Sequence, residues 1–506
     1  VKKKTISTAL VSVFNKQGID RIVKQLAKQN IKIISTGGTE EYIRNLGIDV
    51  IPVEKITGYK SILGGRVKTL HPMIFGGILS RRDDTNDQKE VSEYNIPQID
   101  LVIVDLYPFE QTVQTSDIEA EIIEKIDIGG ISLIRAAAKN YKDVLVVPSK
   151  EYYDDLIEIL DREEAQTSIE ERKKFAKYAF AVSSNYDTAI YKYFSDDDLE
   201  FLRVSEPQHM ELRYGENPHQ KGRFFGNFDE IFEKIHGKQI SYNNLLDISS
   251  AVDLIAEFDE LTLAIMKHTN ACGLASRDNL LDAWKDALAG DPLSAFGGII
   301  ITNTKIDKQT ANEINKIFYE VVIAPAYDKE ALEILESKKN RIILIQKQKV
   351  APKLQIRSVL NGYLAQQKDT KIVDIDDFKY VTEQKPSKEE IEDLIFANKI
   401  VKNSKSNAIV LVKNKQLVGS GVGQTSRVDA LKHAIEKAKA FDLNLEGAVM
   451  ASDAFFPFAD SVEIAFNEGI RAVIQPGGSI RDKDSIEFCD KHNMSMVFTG
   501  FRHFKH

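Results

Sequence analysis

The chain has 506 residues, 43% hydrophobic and 28% charged, with a net charge of −9; it is too long for one core, and roughly three units of ~150 residues are expected. The acidic balance argues against a broad nucleic-acid surface while leaving local basic pockets open. No apolar run nears the ~20 residues of a membrane span, "TISTALVSVFNKQG" is too polar for a signal peptide, and two cysteines, Cys272 and Cys489, are too few for a disulfide framework, so a cytoplasmic protein is expected.

"TALVSVF" reads as a strand, and Ile19, Ile22, Val23, Leu26 and Ala27 then recur at helical spacing over 18–29. "IKIIS", "LVIVDLY" and "VLVVPS" are further strands, each short, apolar and β-branched. Strand–helix–strand order with buried-looking strands predicts a parallel sheet covered by helices on both faces. Helical patterns at 151–161 and 168–192 close this unit. The acidic, proline-containing run at 195–209 breaks the rhythm and sets the first boundary near residue 200. Beyond it, "LTLAIMKH" is a strand and "DNLLDAWKDALA" a helix, and the polar stretch 374–390 reads as a linker or long surface crossing. "AIVLVKNKQLVGSGVG" is a strand, a turn and a strand, followed by a helix from about Arg427. "GAVMASD" and "RAVIQPGG" are the last strands expected, and no short-period repeat is visible.

The stretch "IMKHTNACGLAS" (265–276) packs Lys267, His268, Asn270 and Cys272 into six positions. They fall where a strand ends and a loop begins, the place open α/β sheets bind ligands. A metal site needs three or four suitably spaced ligands, but Cys272 has no CxxC partner and no H-x-E stands nearby. Cys272 as a nucleophile needs a base and a lowered pKa; the plainer reading is a small buried cysteine beside Gly273. Acid–base work suits Lys267 and His268 best, since a neutral imidazole takes a proton near pH 7 and an ammonium supplies charge or a proton. Adjacent strand residues face opposite ways, so a bend must follow, which Asn270 and Gly273 can supply. A merely packed histidine is the alternative.

Elsewhere, "STGGTEEY" (35–42) follows a strand and opens a helix, so the N–H groups of Gly37, Gly38 and Thr39 can cradle a phosphate; the alternative is a plain glycine turn. "GGRVKTLHP" adds Arg66, Lys68, Thr69 and His71. "DIGGISLIRAAAKN" places Asp127 and a glycine pair before a helix ending near Lys139, where capping and a solvated lysine are the plainer roles. "ELRYGENPHQKGRF" is dense in donors, and "SDAFFPFADS" offers aromatics suited to a flat heterocycle or simply to a core.

In order along the whole chain, "STGGT", "GGRVKTLHP", "DLYPF", "DIGG", "RAAAKN", "RYGENPHQ", "KHTNACG", "SAFGGI", "IAPAYD", "SDAFFPFADS" and "QPGGS" resemble the bifunctional purine-biosynthesis family that joins AICAR transformylase to IMP cyclohydrolase. The resemblance implies an α/β protein. A methylglyoxal-synthase-like parallel-sheet domain, the cyclohydrolase, would occupy 1–200. A transformylase of two cytidine-deaminase-like subdomains, about 201–373 and 374–506, would follow. It implies formyl transfer from 10-formyltetrahydrofolate to AICAR, then dehydrative ring closure of formyl-AICAR to IMP. Partners would be these small molecules and a second copy of the chain, with no nucleic acid or membrane. No catalytic metal is expected, and a structural K⁺ is allowed.

By the same resemblance His268 is the transformylase base, working with Lys267, and Asn407 holds the formyl oxygen. Arg213, Tyr214 and Arg502 bind the nucleotide, Phe296 and Phe455 pack around substrate rings, and Glu320, Arg427, Val428 and Pro457 lie on the folate side. In the cyclohydrolase, Lys68, Tyr107, Asp127 and Lys139 carry ring closure with Arg66 and Thr69 nearby, and Ser12, Lys16, Thr36, Gly37, Gly38 and Thr39 bind phosphate. Two positions depart from the family pattern: Ala271 stands where bacterial relatives commonly carry proline, and Asp105 where "NLYPF" is usual. Two other readings compete. A phosphate-sensing regulatory module would not need Lys68, Asp127 and Lys139 together, and a zinc nucleobase deaminase is opposed by the missing cysteines.

Overall fold

Short β-branched runs separated by amphipathic helices build the first of two units, residues 1–207 and 208–506. The computed structural model describes residues 3–196, 199–348 and 354–506. Val1 and Lys2 of the basic start, and Asp197 and Asp198 of the acidic run, lie outside the described residues.

In the first unit, β1 (Thr8–Val13), β2 (Lys32–Ser35), β3 (Ile51–Pro52), β4 (Leu101–Asp105) and β5 (Leu145–Val147) form one parallel sheet in the order β3-β2-β1-β4-β5. The strands are apolar without alternation because both faces are covered: Ala9 to Val11, Leu101 to Val104 and Leu145 to Val147 are all buried. The helix α1 (Ile19–Lys28) buries Ile19, Ile22, Val23 and Leu26, with Asp20 in its first turn and Lys28 in its last, as the helix dipole favours. The elements α2 (Gly37–Asn45), α3 (Gly129–Lys139) and α4 (Ile169–Phe194) complete the positioning set, α4 opening on a capping box between Ser168 and Glu171. The chain steps outward from β1 to β3 and returns to β4 on the other side of β1. The crevice at the carboxyl ends of β1 and β4 is therefore a topological switch point.

The second unit carries a twelve-stranded sheet. Its strands are β6 (Phe232–His236), β7 (Thr262–Lys267), β8 (Asn270–Ser276), β9 (Gly298–Thr302), β10 (Tyr319–Ala324), β11 (Ile342–Gln346), β12 (Lys379–Tyr380), β13 (Ile409–Lys413), β14 (Gln416–Gly421), β15 (Val449–Ser452), β16 (Ala472–Gln475) and β17 (Ser495–Phe498). Their order is β6-β11-β10-β9-β7-β8-β14-β13-β15-β16-β17-β12. Read outward from the middle, each half repeats one plan. A hairpin (β7–β8 or β13–β14) comes first, then an antiparallel neighbour that begins a parallel run of three, then an antiparallel edge strand. The halves meet at β8 and β14 through one registered pair, Ala275 with Gln416. Each hairpin is preceded by a helix, α5 (Tyr242–Ile255) or α7 (Lys388–Lys402), and followed by another, α6 (Leu280–Gly290) or α8 (Arg427–Ala440). The repeat survives in sequence at a constant offset of 146 residues: Ser241 and Ser387, Asp247 and Asp393, Lys267 and Lys413, Gly273 and Gly419.

Three expectations change. "NACGLAS" is the strand β8, not a loop, and the bend comes from His268 and Thr269 with φ of 49° and 65° rather than from Asn270 or Gly273. Asn270 instead pairs with Lys267 across the hairpin. Gly273 serves close packing, since a Cβ there would lie 1.9 Å from the carbonyl oxygen of Ala287 on α6. "RAVIQPGG" is not the last strand, because β17 follows; and the polar crossing at 374–390 holds the edge strand β12, paired to β17, before α7 begins.

Candidate functional site

The switch-point crevice of the first unit opens into a cavity of about 650 Å³. Ser12 and Lys16 reach it from the end of β1, Thr36, Gly38 and Thr39 from the start of α2, and Arg66, Lys68 and Thr69 from the "GGRVKT" loop; Tyr107 follows β4 and Asp127 precedes α3. Of the residues nominated for ring closure and phosphate binding, all but Gly37 and Lys139 line it. Gly37 stands beside it: a Cβ on Gly37, whose φ is +53°, would lie 3.1 Å from Lys68 Nζ. Gly65, with φ +97°, bounds the same lysine from the other side, a Cβ there falling 2.9 Å from Lys68 Cε. The two glycines leave Lys68 its passage into the cavity. Lys139 lies elsewhere. At a rise of about 1.5 Å per residue, it stands roughly 15 Å along α3 from the end facing the cavity, and its side chain is exposed.

The floor of the cavity is polar and fixed. Thr39 Oγ1 accepts the N–H of Val13 at 3.1 Å and donates to its carbonyl at 2.9 Å. Lys16 Nζ donates to the carbonyls of Val13 and Phe14 and to Thr39 Oγ1. Burial lowers the Lys16 pKa against the opposing pull of Asp105. Thr36 Oγ1 is buried and has no hydrogen-bond partner, and it stands at the N-terminus of α2, where the opening N–H groups lack intrahelical partners, as an anion site requires. Asp127 Oδ1 accepts Gly130 N–H at 2.6 Å, the capping role read from sequence. Burial raises its pKa, outweighing the N–H groups of Gly130, Tyr107 and Ile131. Tyr186 Oη, from α4, accepts the N–H of Asp127 at 2.8 Å and donates to the Lys125 carbonyl at 2.7 Å, bracing this loop.

Several lining residues escaped the sequence reading. Glu124 pairs with Arg66. Phe14 meets Tyr107 edge-on at 5.3 Å, and Lys125 lies 5.5 Å from the Phe14 ring. Asp105, read only as a departure, accepts Asn15 N–H at 2.9 Å, and burial raises its pKa. Single aromatic or acidic residues outside a glycine-marked motif carry no local signal.

In the second unit the β7–β8 turn presents His268 to solvent while Lys267 Nζ donates to the Phe296 carbonyl. Phe296 is exposed and packs against Phe318 at 5.3 Å. Cys272 is a core residue: its Sγ donates to the Ile265 carbonyl at 3.4 Å and burial pushes its pKa up to about 12, so it is a neutral thiol, not a nucleophile. Asn270 ties the hairpin to the Asn407 loop by accepting Lys405 N–H at 2.9 Å. Asn407 Nδ2 donates to the carbonyls of Gln424 and Thr425, and its Oδ1 accepts from Arg427. Arg427 is itself held by the fully buried Asp453 at 2.6 Å and by Ser452. The carboxamide nominated to hold a formyl oxygen is thus engaged, and releasing one carbonyl frees its N–H. Val428 follows Arg427 on α8, half-buried, and Phe455 and Pro457 are exposed beside the buried Phe456. Glu320 pairs with Lys238. Arg213 and Tyr214 line a separate basin of about 810 Å³ with His219, Gln220 and Arg223, and the exposed Arg502 stacks on Phe504 at 4.5 Å. Among the described residues no group of three or more His, Cys, Asp or Glu is placed to hold a metal ion, and no helix is long and apolar enough to cross a membrane.

A bifunctional purine biosynthesis protein PurH of Bacteroides thetaiotaomicron is 62% identical over 505 residues, covering 100% of both chains. Its namesake from Caldicellulosiruptor saccharolyticus is 46% identical over 514 residues, 98% of this chain and 99% of its own. A solved structure titled "Crystal structure of ForH" aligns with 38% of this chain and 100% of its own at 32% identity and a TM-score of 0.34, a likeness too partial to assign a fold. The family model of the MGS-like domain matches residues 18–132, and that of the AICARFT/IMPCHase bienzyme matches residues 137–437. A match over more than half its length, joined to end-to-end identity with such relatives, makes the chain a member of the AICARFT/IMPCHase bienzyme family.

Proposed function

We propose that the chain runs its two reactions at separate places, ring closure in residues 1–207 and formyl transfer in residues 208–506. It is a bifunctional enzyme of purine biosynthesis that transfers formyl from 10-formyltetrahydrofolate to AICAR and closes formyl-AICAR to IMP. The switch-point cavity carries the first assignment, because it combines an anion cradle with a desolvated carboxyl and a lysine. The nucleotide phosphate sits against Thr36 Oγ1, the N–H groups of Gly37 and Gly38, Lys16 and Ser12. Addition of the carboxamide nitrogen to the formyl carbon moves one proton from nitrogen to the new hydroxyl; loss of that hydroxyl as water, with a second proton from nitrogen, gives the aromatic ring. Asp127 is the proton acceptor, its raised pKa suiting reversible protonation, and Lys68 protonates the departing hydroxyl. Tyr107 and Arg66 border the ring, and Thr69 packs beside Gly129. Lys139 is left as a favourable charge at a helix C-terminus.

In formyl transfer the amine of AICAR is a poor nucleophile because its lone pair is delocalised. His268 takes its proton as the nitrogen attacks the formyl carbon, Lys267 supplies positive charge, and an Asn407 N–H meets the developing oxyanion. The nitrogen of tetrahydrofolate leaves with a proton. The folate lies towards Glu320, Arg427, Val428 and Pro457. Arg213, Tyr214 and Arg502 complete the nucleotide site in a homodimer, a reading supported by the exposed Leu360, Tyr363 and Leu364 of the hairpin Leu354–Val359 and Gly362–Gln367, since a lone two-stranded hairpin is marginal in water. A structural monovalent cation such as K⁺ belongs to the same reading; Asp453 Oδ2, buried without a hydrogen-bond partner, is an oxygen available to it. The protein works in the cytoplasm.

The test is separation of function. With AICAR and 10-formyltetrahydrofolate, Asp127→Ala should accumulate formyl-AICAR, and His268→Ala should fail to form it yet still close formyl-AICAR supplied directly. Loss of both half-reactions in either folded variant would refute the two-site assignment.

A further inference from the structure

His268 and Thr269 both occupy the left-handed region, φ 49° and 65°, which is costly for residues other than glycine, asparagine or aspartate. Their hairpin turn calls for that conformation at both positions, so something must hold it. From α5, Asp247 Oδ1 accepts the N–H of Thr269 at 2.6 Å. The carboxylate is half-buried, and the titratable groups it faces are His268 and Lys267. On the far side of the turn, Asn270 Nδ2 donates to the His268 carbonyl at 2.9 Å.

The second half of the sheet holds the same device without the chemistry. Asn414 and Lys415, with φ of 51° and 52°, turn β13 into β14. Asp393 on α7 accepts both N–H groups, at 2.7 and 2.6 Å. Asp247 and Asp393 stand at matching places, each six residues after the serine that caps its helix. The clamp is therefore a feature of the repeat; at the first turn what it holds in place is an imidazole.

We propose that Asp247 is a positioning residue for formyl transfer: by gripping Thr269 N–H it fixes the left-handed turn and so aims His268. This rests on His268 being the base. A displacement of about 1 Å in such a group costs about 10²-fold in rate, so the clamp matters to catalysis far more at the first turn than at the second.

The full-length chain should be compared as Asp247→Ala, Asp247→Asn, Asp393→Ala, His268→Ala and the double variant Asp247→Ala with His268→Ala. Formyl transfer is measured with AICAR and 10-formyltetrahydrofolate, and thermal melts of the same samples report on folding of the second unit. Asp247→Ala should lower kcat for formyl transfer about 10- to 100-fold with KM for AICAR little changed. Asp247→Asn keeps an acceptor oxygen and should recover most of the rate. Asp393→Ala breaks the matching clamp away from the chemistry and should stay within about threefold of wild type. In the His268→Ala background, Asp247→Ala should cost nothing further. Asp247→Leu, close in volume but unable to accept a hydrogen bond, carries the same expectation should the alanine variant not fold. A wild-type rate in Asp247→Ala, equal losses in Asp247→Ala and Asp393→Ala, or an undiminished loss in the His268→Ala background would each overturn the proposal. Formyl transfer that survives His268→Ala would instead unseat the histidine as base, and the proposal with it.

Discussion

Burial sorts the reactive side chains of the first hairpin. Cys272, with its thiol pushed up to about 12, is un-ionised at any assay pH; Cys272→Ala should keep substantial formyl transfer and lose only about 1 kcal/mol of stability. His268→Ala should lower the same rate by about 10² to 10⁴, roughly 3 to 5 kcal/mol of barrier, with thermal melts separating rate from folding. At the other site Gly38 discriminates between packing and binding. A Cβ there meets nothing within 4 Å, and alanine in a helix is favoured over glycine by about 1 kcal/mol. Gly38→Ala should therefore melt at or above the wild-type temperature while KM for formyl-AICAR rises at least about tenfold; a matching fall in stability would show that the glycine serves the fold. Asp105 offers a pH test. Burial raises its folded-state pKa above the unfolded 3.8, so the folded state binds its proton more tightly. The resulting stability is full below the unfolded value and is lost as pH rises through the folded one. Asp105→Asn, which keeps an acceptor for Asn15 N–H, should raise the melting temperature at neutral pH, the gain shrinking as pH falls towards 3.8. A neutral-pH melting temperature at or below wild type would count against that account.

At the scale of elements, glycines mark where a strand and a helix touch. Gly273→Ala would drive a Cβ to within 1.9 Å of the Ala287 carbonyl oxygen, and overpacking of this kind costs about 1–3 kcal/mol; the melting temperature should fall while ring closure in the first unit keeps its rate. Strongly periodic elements were legible in the sequence. The apolar runs at β1, β4, β5, β7 and β13 and the helical stripe of α1 state their own periodicity, and the glycine-marked loops around Lys68 and Asp127 state theirs. The hairpin at His268 was not legible, because nothing in "KHTN" resembles the Asn-Gly or Asp-Gly of a usual two-residue turn; the force that permits it, the Asp247 carboxylate, arrives from a helix about twenty residues earlier. β12 was hidden by its brevity, two residues paired only to an edge. The repeat was hidden because a core tolerates exchange of one apolar residue for another, leaving only caps, turn clamps and close-contact glycines in register.

At the scale of the whole molecule, the first unit contains its own sheet, core and cavity, and Pro207 lines a small pocket with Tyr152 and Tyr186. Residues 1–207 expressed alone should fold and convert formyl-AICAR to IMP at a rate near that of the full chain; a folded fragment with no product would remove ring closure from this unit. The meeting of β8 and β14 has a mechanical consequence. Where other neighbours share ladders of two or more registered pairs, this suture has one, and a backbone bond and side chains do the rest. Arg277 reaches across to the Asn414 carbonyl at 2.7 Å, Gln416 reaches back to the Asp286 carbonyl at 2.9 Å, and Ser276 N–H meets the Lys415 carbonyl at 3.0 Å. A joint stitched by struts rather than rungs can give without either wing unfolding. Amides along it, Ser276 above all, should then exchange hydrogen for deuterium faster than that of Ile300 in mid-wing, and faster still in Arg277→Ala. Because His268 rides on one wing and Asn407 on the other, that suture is also the seam between the two side chains nominated for formyl transfer.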